Sequence, residues 1–198
     1  MTQIQKYSSV KGSLQSIANK QAITVAQAFI DAEIIVLLDV SASMTIDDDT
    51  PRMYSSQYRN ESRFRKACNQ LAKLQAENPG KVALVCFDDR QTFEASGIGR
   101  QPNGSTDIAG ALSFVHKADG TGMQFVLISD GEPDCEELAI AMAQQFKSKI
   151  STIYIGPEGG QGADFLRRLS AVTGGQFSNN GTAGIVNLSQ TVERLLTA

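Results

Sequence analysis

The sequence has little histidine, little cysteine and no long apolar run, and each shortage argues against a class of protein. It contains one histidine, His116, and three cysteines, Cys68, Cys86 and Cys135, which form no Cys-x-x-Cys pair. A disulfide framework and a structural zinc site are therefore disfavoured. No stretch approaches the roughly 20 apolar residues that span a bilayer, and residues 1–20 lack the apolar centre of a signal peptide. We expect a cytoplasmic protein without a membrane partner.

The chain has no excess of positive charge, since its 198 residues include 18 Lys and Arg against 21 Asp and Glu, a net charge of -3. Binding driven by phosphate neutralisation needs a densely basic surface, so we expect no nucleic-acid partner. Basic residues such as Arg63, Arg65 and Lys66 are expected on exposed helix faces. With 41% hydrophobic and 20% charged residues, the chain has the composition of an ordinary globular domain.

Short apolar runs alternate with longer amphipathic segments from Ile34 onward, which is typical of repeated βαβ units. We predict an α/β fold, Rossmann-like and doubly wound, with a mostly parallel central sheet, helices on both faces and one short antiparallel edge strand. The predicted strands are residues 34–39, 81–88, 123–129, 150–156 and 175–178, with the edge strand at 91–94. The predicted helices are residues 62–77, 107–117, 135–149, 162–172 and 182–196.

Residues 1–32 precede this alternation and are interpreted as an N-terminal extension. Their apolar residues allow a docked helix or, in part, an extra strand, and the sequence leaves both open. These apolar residues are Leu14, Ile17, Ala18, Ile23, Ala26 and Phe29. Residues 33–198 are expected to form the main domain.

Three segments rich in side-chain oxygen fall at comparable places in the alternation. They are Asp39-x-Ser41-x-Ser43, Gly104-Ser105-Thr106-Asp107 and Ser129-Asp130-Gly131. The first and third follow predicted strands, and the second opens a predicted helix. Because loops at the carboxyl ends of strands build the sites of open α/β sheets, we expect the three to converge. A simple strand end capped by Asp and Ser is the alternative for the first segment alone.

With these motifs in this order, residues 33–196 resemble a von Willebrand factor type A domain with a metal-ion-dependent adhesion site. The family pattern of Asp-x-Ser-x-Ser, a later Thr and a strand-terminal Asp-Gly is met by Asp39, Ser41, Ser43, Thr106 and Asp130. Met44, after the last serine, is similar to many intracellular bacterial members. The resemblance implies that Ser41 and Ser43 are direct ligands, that Thr106 is a conformation-dependent ligand, and that Asp39 and Asp130 balance the charge.

Carboxylate and hydroxyl oxygens suit hard cations and suit zinc or copper poorly. The expected ion is Mg²⁺, with Mn²⁺ or Ca²⁺ as alternatives. Two carboxylates balance one divalent cation, so an open coordination position can accept a Glu or Asp of a partner protein. The resemblance implies this use, and family-level analogy names an AAA+ ATPase, a kinase or a phosphatase as partner.

Five further aspartates stand near the motifs and are expected, at most, to modulate the site. Asp107 and Asp134 are interpreted first as helix N-terminal residues that satisfy free amides. The run Asp47-Asp48-Asp49 lies in a polar insertion, residues 45–59, and is either a solvated loop or an internal occupant of the open position.

The leading prediction is a non-enzymatic, metal-dependent protein-binding module. An alternative is a metal-dependent phosphohydrolase of the haloacid-dehalogenase outline, which uses an Asp nucleophile and a second Asp two residues later. Ser41 occupies that second place here, and a hydroxyl cannot serve as the acid or base. A third interpretation keeps the fold and makes the chain a structural subunit of a larger assembly.

Overall fold

A computed structural model of the chain describes residues 9–48, 61–157, 159–179, 190, 192 and 194. Its helices are α1 (Leu14–Gln21), α2 (Val25–Ile30), α3 (Arg63–Glu77), α4 (Ile108–Val115), α5 (Glu136–Ala143) and α6 (Gln161–Val172). Its strands are β1 (Ile34–Asp39), β2 (Val82–Phe87), β3 (Gln91–Phe93), β4 (Gln124–Ser129), β5 (Ile150–Tyr154) and β6 (Phe177–Asn179). Short 3-10 turns occupy Ala42–Thr45 and His116–Ala118.

The six strands form one sheet in the order β3-β2-β1-β4-β5-β6. All neighbouring pairs are parallel except β2 and β3, which form an antiparallel hairpin at the edge. The predicted fold class is therefore confirmed. The chain leaves β1 towards β2 on one side and later returns to β4 on the other, so the loops after β1 and β4 separate at a switch point, where open α/β sheets place their binding sites.

Strand β1 is buried on both faces, as its unbroken apolar run predicts. Ile35 and Leu37 join the apolar cluster that packs on α1, α2, α4, α5 and α6. Ile34, Val36 and Leu38 join the cluster on the opposite face, beneath α3. Because both faces are covered by helices, the polar residues that end and follow this strand can form a site only at its carboxyl end.

The N-terminal segment forms two short helices, and no strand is found within its described residues 9–32. A hydroxyl caps each helix: the Oγ of Ser13 accepts the N–H of Ser16, and the Oγ1 of Thr24 accepts the N–H of Gln27. Leu14 and Ala18 of α1 enter the apolar cluster of the sheet.

Helix α5 is shorter than the predicted 135–149, because the chain after Ala143 is held in turns. The carboxylate of Asp119 accepts the backbone N–H groups of Lys147 and Ser148 at 2.8 and 2.9 Å. These amides are therefore drawn away from helical bonding. The predicted helix 182–196 lies largely outside the described residues, of which Gln190, Val192 and Arg194 are helical.

None of the helices in the described part of the chain is long and apolar enough to cross a membrane.

Candidate metal centre

Asp39 ends β1 and is completely buried. Its Oδ1 accepts the backbone N–H of Ser41 at 2.8 Å, and its Oδ2 accepts the hydroxyl of Ser129 at 2.6 Å. Ser129 ends the neighbouring strand β4, and its Oγ in turn accepts the N–H of Gly131 at 2.8 Å. This chain of hydrogen bonds joins the loop after β1 to the loop after β4, and its central carboxylate has donors on both oxygens.

Ser41 and Ser43 bring their hydroxyls together in the turn after β1. Their Oγ atoms are 3.0 Å apart, Ser41 is buried and Ser43 is half-buried. Two neighbouring ligands of an octahedral Mg²⁺, each about 2.1 Å from the ion, would also be about 3.0 Å apart. The hydroxyl pair therefore has a spacing that suits one small divalent cation.

Thr106 lies in a loop that is tied to both of the others. The N–H of Ala42 donates to the carbonyl of Gly104 at 3.2 Å, which joins this loop to the serine turn. The carboxylate of Asp134 accepts the N–H of Thr106 at 3.1 Å and the hydroxyl of Ser105 at 2.6 Å, which joins it to the loop after β4. The structure thus brings the three predicted segments to one edge of the sheet, with the Thr106 side chain buried.

Asp107 and Asp134 have different roles, although the sequence predicts a position at a helix N-terminus for both. Asp107 does cap α4, since its Oδ1 accepts the N–H of Gly110 at 2.8 Å. The capping prediction for Asp134 is wrong, because Cys135 is the N-cap residue of α5. The carboxylate of Asp134 is used instead to hold Thr106, as described above. Asp134 therefore influences the site through a loop rather than through a helix end.

Asp130 follows β4 and is buried, with unequal environments for its two oxygens. Its Oδ2 accepts Nη1 of Arg63 at 3.0 Å. Its Oδ1 is buried and has no hydrogen-bond partner among the described residues. A buried carboxylate oxygen without a donor is costly, so this atom is the best placed to receive a bound cation or a water molecule on it.

The glycine of the Asp-Gly pair is required by the backbone. Gly131 has a φ of +76°, and a Cβ at this position would lie 2.3 Å from the carbonyl oxygen of Gly162 in α6. Any side chain would therefore push α6 away from Asp130. The close approach keeps the loop after β4 tight against the helix that follows β5.

Negative charge in the site is not fully compensated. Burial, followed by the charge of Asp130, raises the pKa of Asp39 from 3.8 to about 7, although hydrogen bonds from Ser129 and Ser41 act in the opposite direction. Burial is the main cause and the carboxylate of Asp130 adds to it, so the ionised form of Asp39 is disfavoured in the absence of a cation. A divalent cation would supply a compensating positive charge, and this is the third respect in which the residues fit a metal.

The donor set also limits the kind of metal. Among the described residues, no group of three or more His, Cys, Asp or Glu side chains is arranged to hold an ion. A metal at this edge would therefore depend on the hydroxyls of Ser41, Ser43 and Thr106 together with carboxylate oxygen. Such oxygen ligands suit Mg²⁺, Mn²⁺ or Ca²⁺ and not the softer transition metals.

Arg63 is buried, which contradicts the prediction from the sequence. The sequence predicts an exposed helix face for it, but it is 7% exposed and its guanidinium contacts Asp130. Its Nε and Nη2 each donate to the carboxylate of Asp48 at 2.6 Å, in addition to the bond from Nη1 to Asp130. Burial opposes the charged form, yet the hydrogen bonds and charge of Asp48 and the charge of Asp130 raise the pKa of Arg63 above its ordinary value.

Of the three aspartates in the acidic insertion, Asp48 folds back onto Arg63. Asp47 is described, whereas Asp49 lies outside the described residues together with most of the insertion.

A signal for Arg63 was present in the sequence: a cation at the first position of a helix opposes the helix dipole and needs a counter-charge. Ser129 was part of the third motif, but its role as a donor to Asp39 depends on the pairing of β1 with β4.

Comparison with solved structures shows the same fold in several proteins. A von Willebrand factor type A protein from Catenulispora acidiphila matches with a TM-score of 0.61 at 15% identity, over 84% of this chain and 42% of that one. The PilB minor pilin from Streptococcus sanguinis matches with a TM-score of 0.57 at 16% identity, over 84% of this chain and 61% of that one. Proximal thread matrix protein 1 from the mussel byssus matches with a TM-score of 0.51 at 16% identity, over 91% and 50%.

The present chain thus spans roughly 40% to 60% of the length of these solved chains. No protein-family description matches the sequence, and no curated protein is similar to it in sequence. At 15–16% identity, the likeness concerns the path of the backbone. The chain therefore has an α/β fold similar to that of a von Willebrand factor type A domain.

Proposed function

We propose that the chain is a non-enzymatic protein-interaction module that holds Mg²⁺ at the carboxyl edge of its sheet and binds an acidic residue of a partner through that ion. Ser41, Ser43 and Thr106 would supply hydroxyl ligands, and Asp39 and Asp130 would balance the charge. The bound ion would act as a Lewis acid that attracts a carboxylate. The buried Oδ1 of Asp130, which lacks a partner among the described residues, is the observation that carries this proposal.

The number of charges supports docking. Asp39 and Asp130 together carry two negative charges when both are ionised, which a divalent cation neutralises. Asp48 and Arg63 form an ion pair that adds no net charge. A neutral site with an open coordination position has affinity for a further carboxylate, whereas a site with a third unpaired acidic ligand would have less.

The arrangement of Asp39 supports binding over hydrolysis. A carboxylate nucleophile must present a free oxygen to its substrate, but Asp39 is buried and each of its oxygens accepts a hydrogen bond. Ser41, two residues later, is itself paired with Ser43 and cannot act as a general acid.

Metal binding is tested by calorimetric titration of the chelator-treated protein with MgCl₂. We expect one ion per chain for the wild type and loss of binding for Ser41→Ala. Ser113→Ala, which changes an exposed serine on α4, is the matched control and should bind Mg²⁺ like the wild type. Equal binding by wild type and Ser41→Ala would refute the site, because removal of a direct ligand must weaken it.

Partner binding is tested with the same three proteins as bait. Proteins captured in MgCl₂ should be lost in excess chelator and with Ser41→Ala, and retained with Ser113→Ala. Neutralising an acidic residue of a captured partner should abolish the contact. Capture that survives both chelator and Ser41→Ala would favour the structural-subunit interpretation.

A further inference from the structure

The guanidinium of Arg63 lies between two carboxylates that come from different loops of the chain. Nε and Nη2 form a paired contact with Asp48 at 2.6 Å each, and Nη1 reaches Asp130 at 3.0 Å. The side chains of Arg63, Asp48 and Asp130 are 8%, 11% and 4% exposed. Three charged groups are thus held together with little contact with solvent, which makes their mutual attraction stronger than at the surface.

Backbone contacts fix Asp48 near Arg63. The N–H of Arg63 donates to the carbonyl of Ile46 at 2.9 Å, so the chain two residues before Asp48 is bonded to the start of α3. The same short segment follows the serine turn directly, since Ile46 is the C-cap of the Ala42–Thr45 turn. Asp48, one partner of the ion pair, therefore lies in the segment that continues directly from the turn carrying Ser41 and Ser43.

Arg63 and a divalent cation would draw on the same negative charge. Asp130 gives Oδ2 to Arg63, while its Oδ1 remains unpartnered among the described residues. A guanidinium charge on one oxygen lowers the attraction of the other oxygen for a cation. The carboxylate of Asp48 reduces this effect, because it neutralises the guanidinium from the other side.

We propose that Asp48 and Arg63 set the affinity of the site for its divalent cation, with Arg63 lowering that affinity through Asp130 and Asp48 restoring it. The inference rests on the metal site proposed above and assigns to Asp48 an indirect role rather than that of a metal ligand. Removing the charge of Asp48 should therefore weaken cation binding, whereas removing the charge of Arg63 should strengthen it, although both changes break the same ion pair.

The test is calorimetric titration with MgCl₂ of wild type, Asp48→Asn, Arg63→Gln and the double variant at one pH and ionic strength. Asp48→Asn leaves the guanidinium charge uncompensated, and we expect about tenfold weaker binding. Arg63→Gln removes that charge, and we expect about tenfold tighter binding. The double variant has the net charge of the wild type and should bind within about threefold of it.

A second ion pair provides the matched control. Arg167 and Asp164 on α6 are 2.6 Å apart and largely exposed. Asp164→Asn and Arg167→Gln make the same chemical changes away from the site, and both should leave Mg²⁺ affinity unchanged. A similar effect at this pair would show that the global charge of the chain, and not the contact with Asp130, is responsible.

Folding of each variant is checked by its thermal unfolding transition in chelator. If Arg63→Gln does not fold, Arg63→Met is a second neutral replacement of similar length. Weaker binding by both single variants, or unchanged binding by both, overturns the inference. Loss of binding in the double variant also overturns it, because it would make Asp48 a direct ligand.

The outcomes separate this inference from the proposed function. Binding that is lost with Ser41→Ala but does not respond to Asp48 or Arg63 leaves the metal site standing and refutes only the role of the ion pair. Absence of binding in every variant refutes both. Binding by Arg63→Gln but not by the wild type supports the lowering of affinity by Arg63, but it refutes both the restoring role of Asp48 and Mg²⁺ binding by the native chain.

Discussion

The raised pKa of Asp39 predicts a stability that falls as the pH rises. In the folded chain without a divalent cation, the pKa of this carboxyl is about 7, whereas its ordinary pKa is 3.8. The folded chain therefore keeps this proton up to pH about 7. Between these pH values the folded state binds more protons than the unfolded state. The free energy of unfolding therefore decreases from pH about 4 to pH about 7 and is flat above it. About three pH units at about 1.4 kcal/mol each give a loss of at most about 4 kcal/mol.

The assay is urea unfolding in chelator at pH 5 and pH 8, followed by circular dichroism. Asp39→Asn has no carboxyl proton to lose, so its stability should depend less on pH. Its free energy of unfolding, relative to that of the wild type, should therefore be higher at pH 8 than at pH 5. Mg²⁺ favours the ionised carboxylate and should restore stability to the wild type at pH 8 but not to Asp39→Asn. Asp164→Asn, which replaces an exposed carboxylate, is the control and should follow the wild type.

Two results would contradict this reasoning. Parallel pH curves for wild type and Asp39→Asn would show that the buried carboxyl is ionised throughout. A wild type that gains no stability from Mg²⁺ at pH 8 would show that the missing positive charge is not supplied by that ion. Asp88 does not disturb the interval, because its pKa is lowered to about 2 and its contribution is lost only in stronger acid.

Three further predictions concern the surroundings of the site. Gly131→Ala should lower the free energy of unfolding by more than 2 kcal/mol, whereas Gly120→Ala should cost only about 1 kcal/mol, because both have positive φ but only the first meets a neighbouring backbone; chemical denaturation measures both. Asp134→Ala should weaken Mg²⁺ binding in calorimetry about tenfold, since it releases the threonine loop. Burial raises the pKa of Cys86 to about 12, so a thiol reagent at pH 8 should modify Cys135 well before Cys86; equal rates would contradict this.

The sheet was readable from the sequence because its signals are local. The unbroken apolar run of β1 and the turn residues around β3 each determine their own segment, and both strands occur where they were predicted. The three loops of the site could be placed at one edge for a topological reason, since they lie at strand ends or helix starts of a parallel sheet.

The contacts inside the site were not readable, because they join residues far apart in the chain. The bond from Ser129 to Asp39 depends on β4 lying beside β1, and 90 positions separate the two residues. Arginine is a residue type usually found at the surface, and the burial of Arg63 is explained by its contacts with Asp48 and Asp130. The end of α5 depends in the same way on Asp119, which lies before β4.

The bond between Ser129 and Asp39 has a consequence for folding. The two ends of this bond meet only after β1 and β4 have paired at the centre of the sheet, which is a contact between distant parts of the chain and forms at a high entropic cost. No short stretch of the sequence can reproduce the site, so a cation that binds there distinguishes the assembled sheet from every partly folded chain. Occupancy by that cation would then report how much of the protein has completed folding, and withdrawing the cation would lower that fraction without changing any residue.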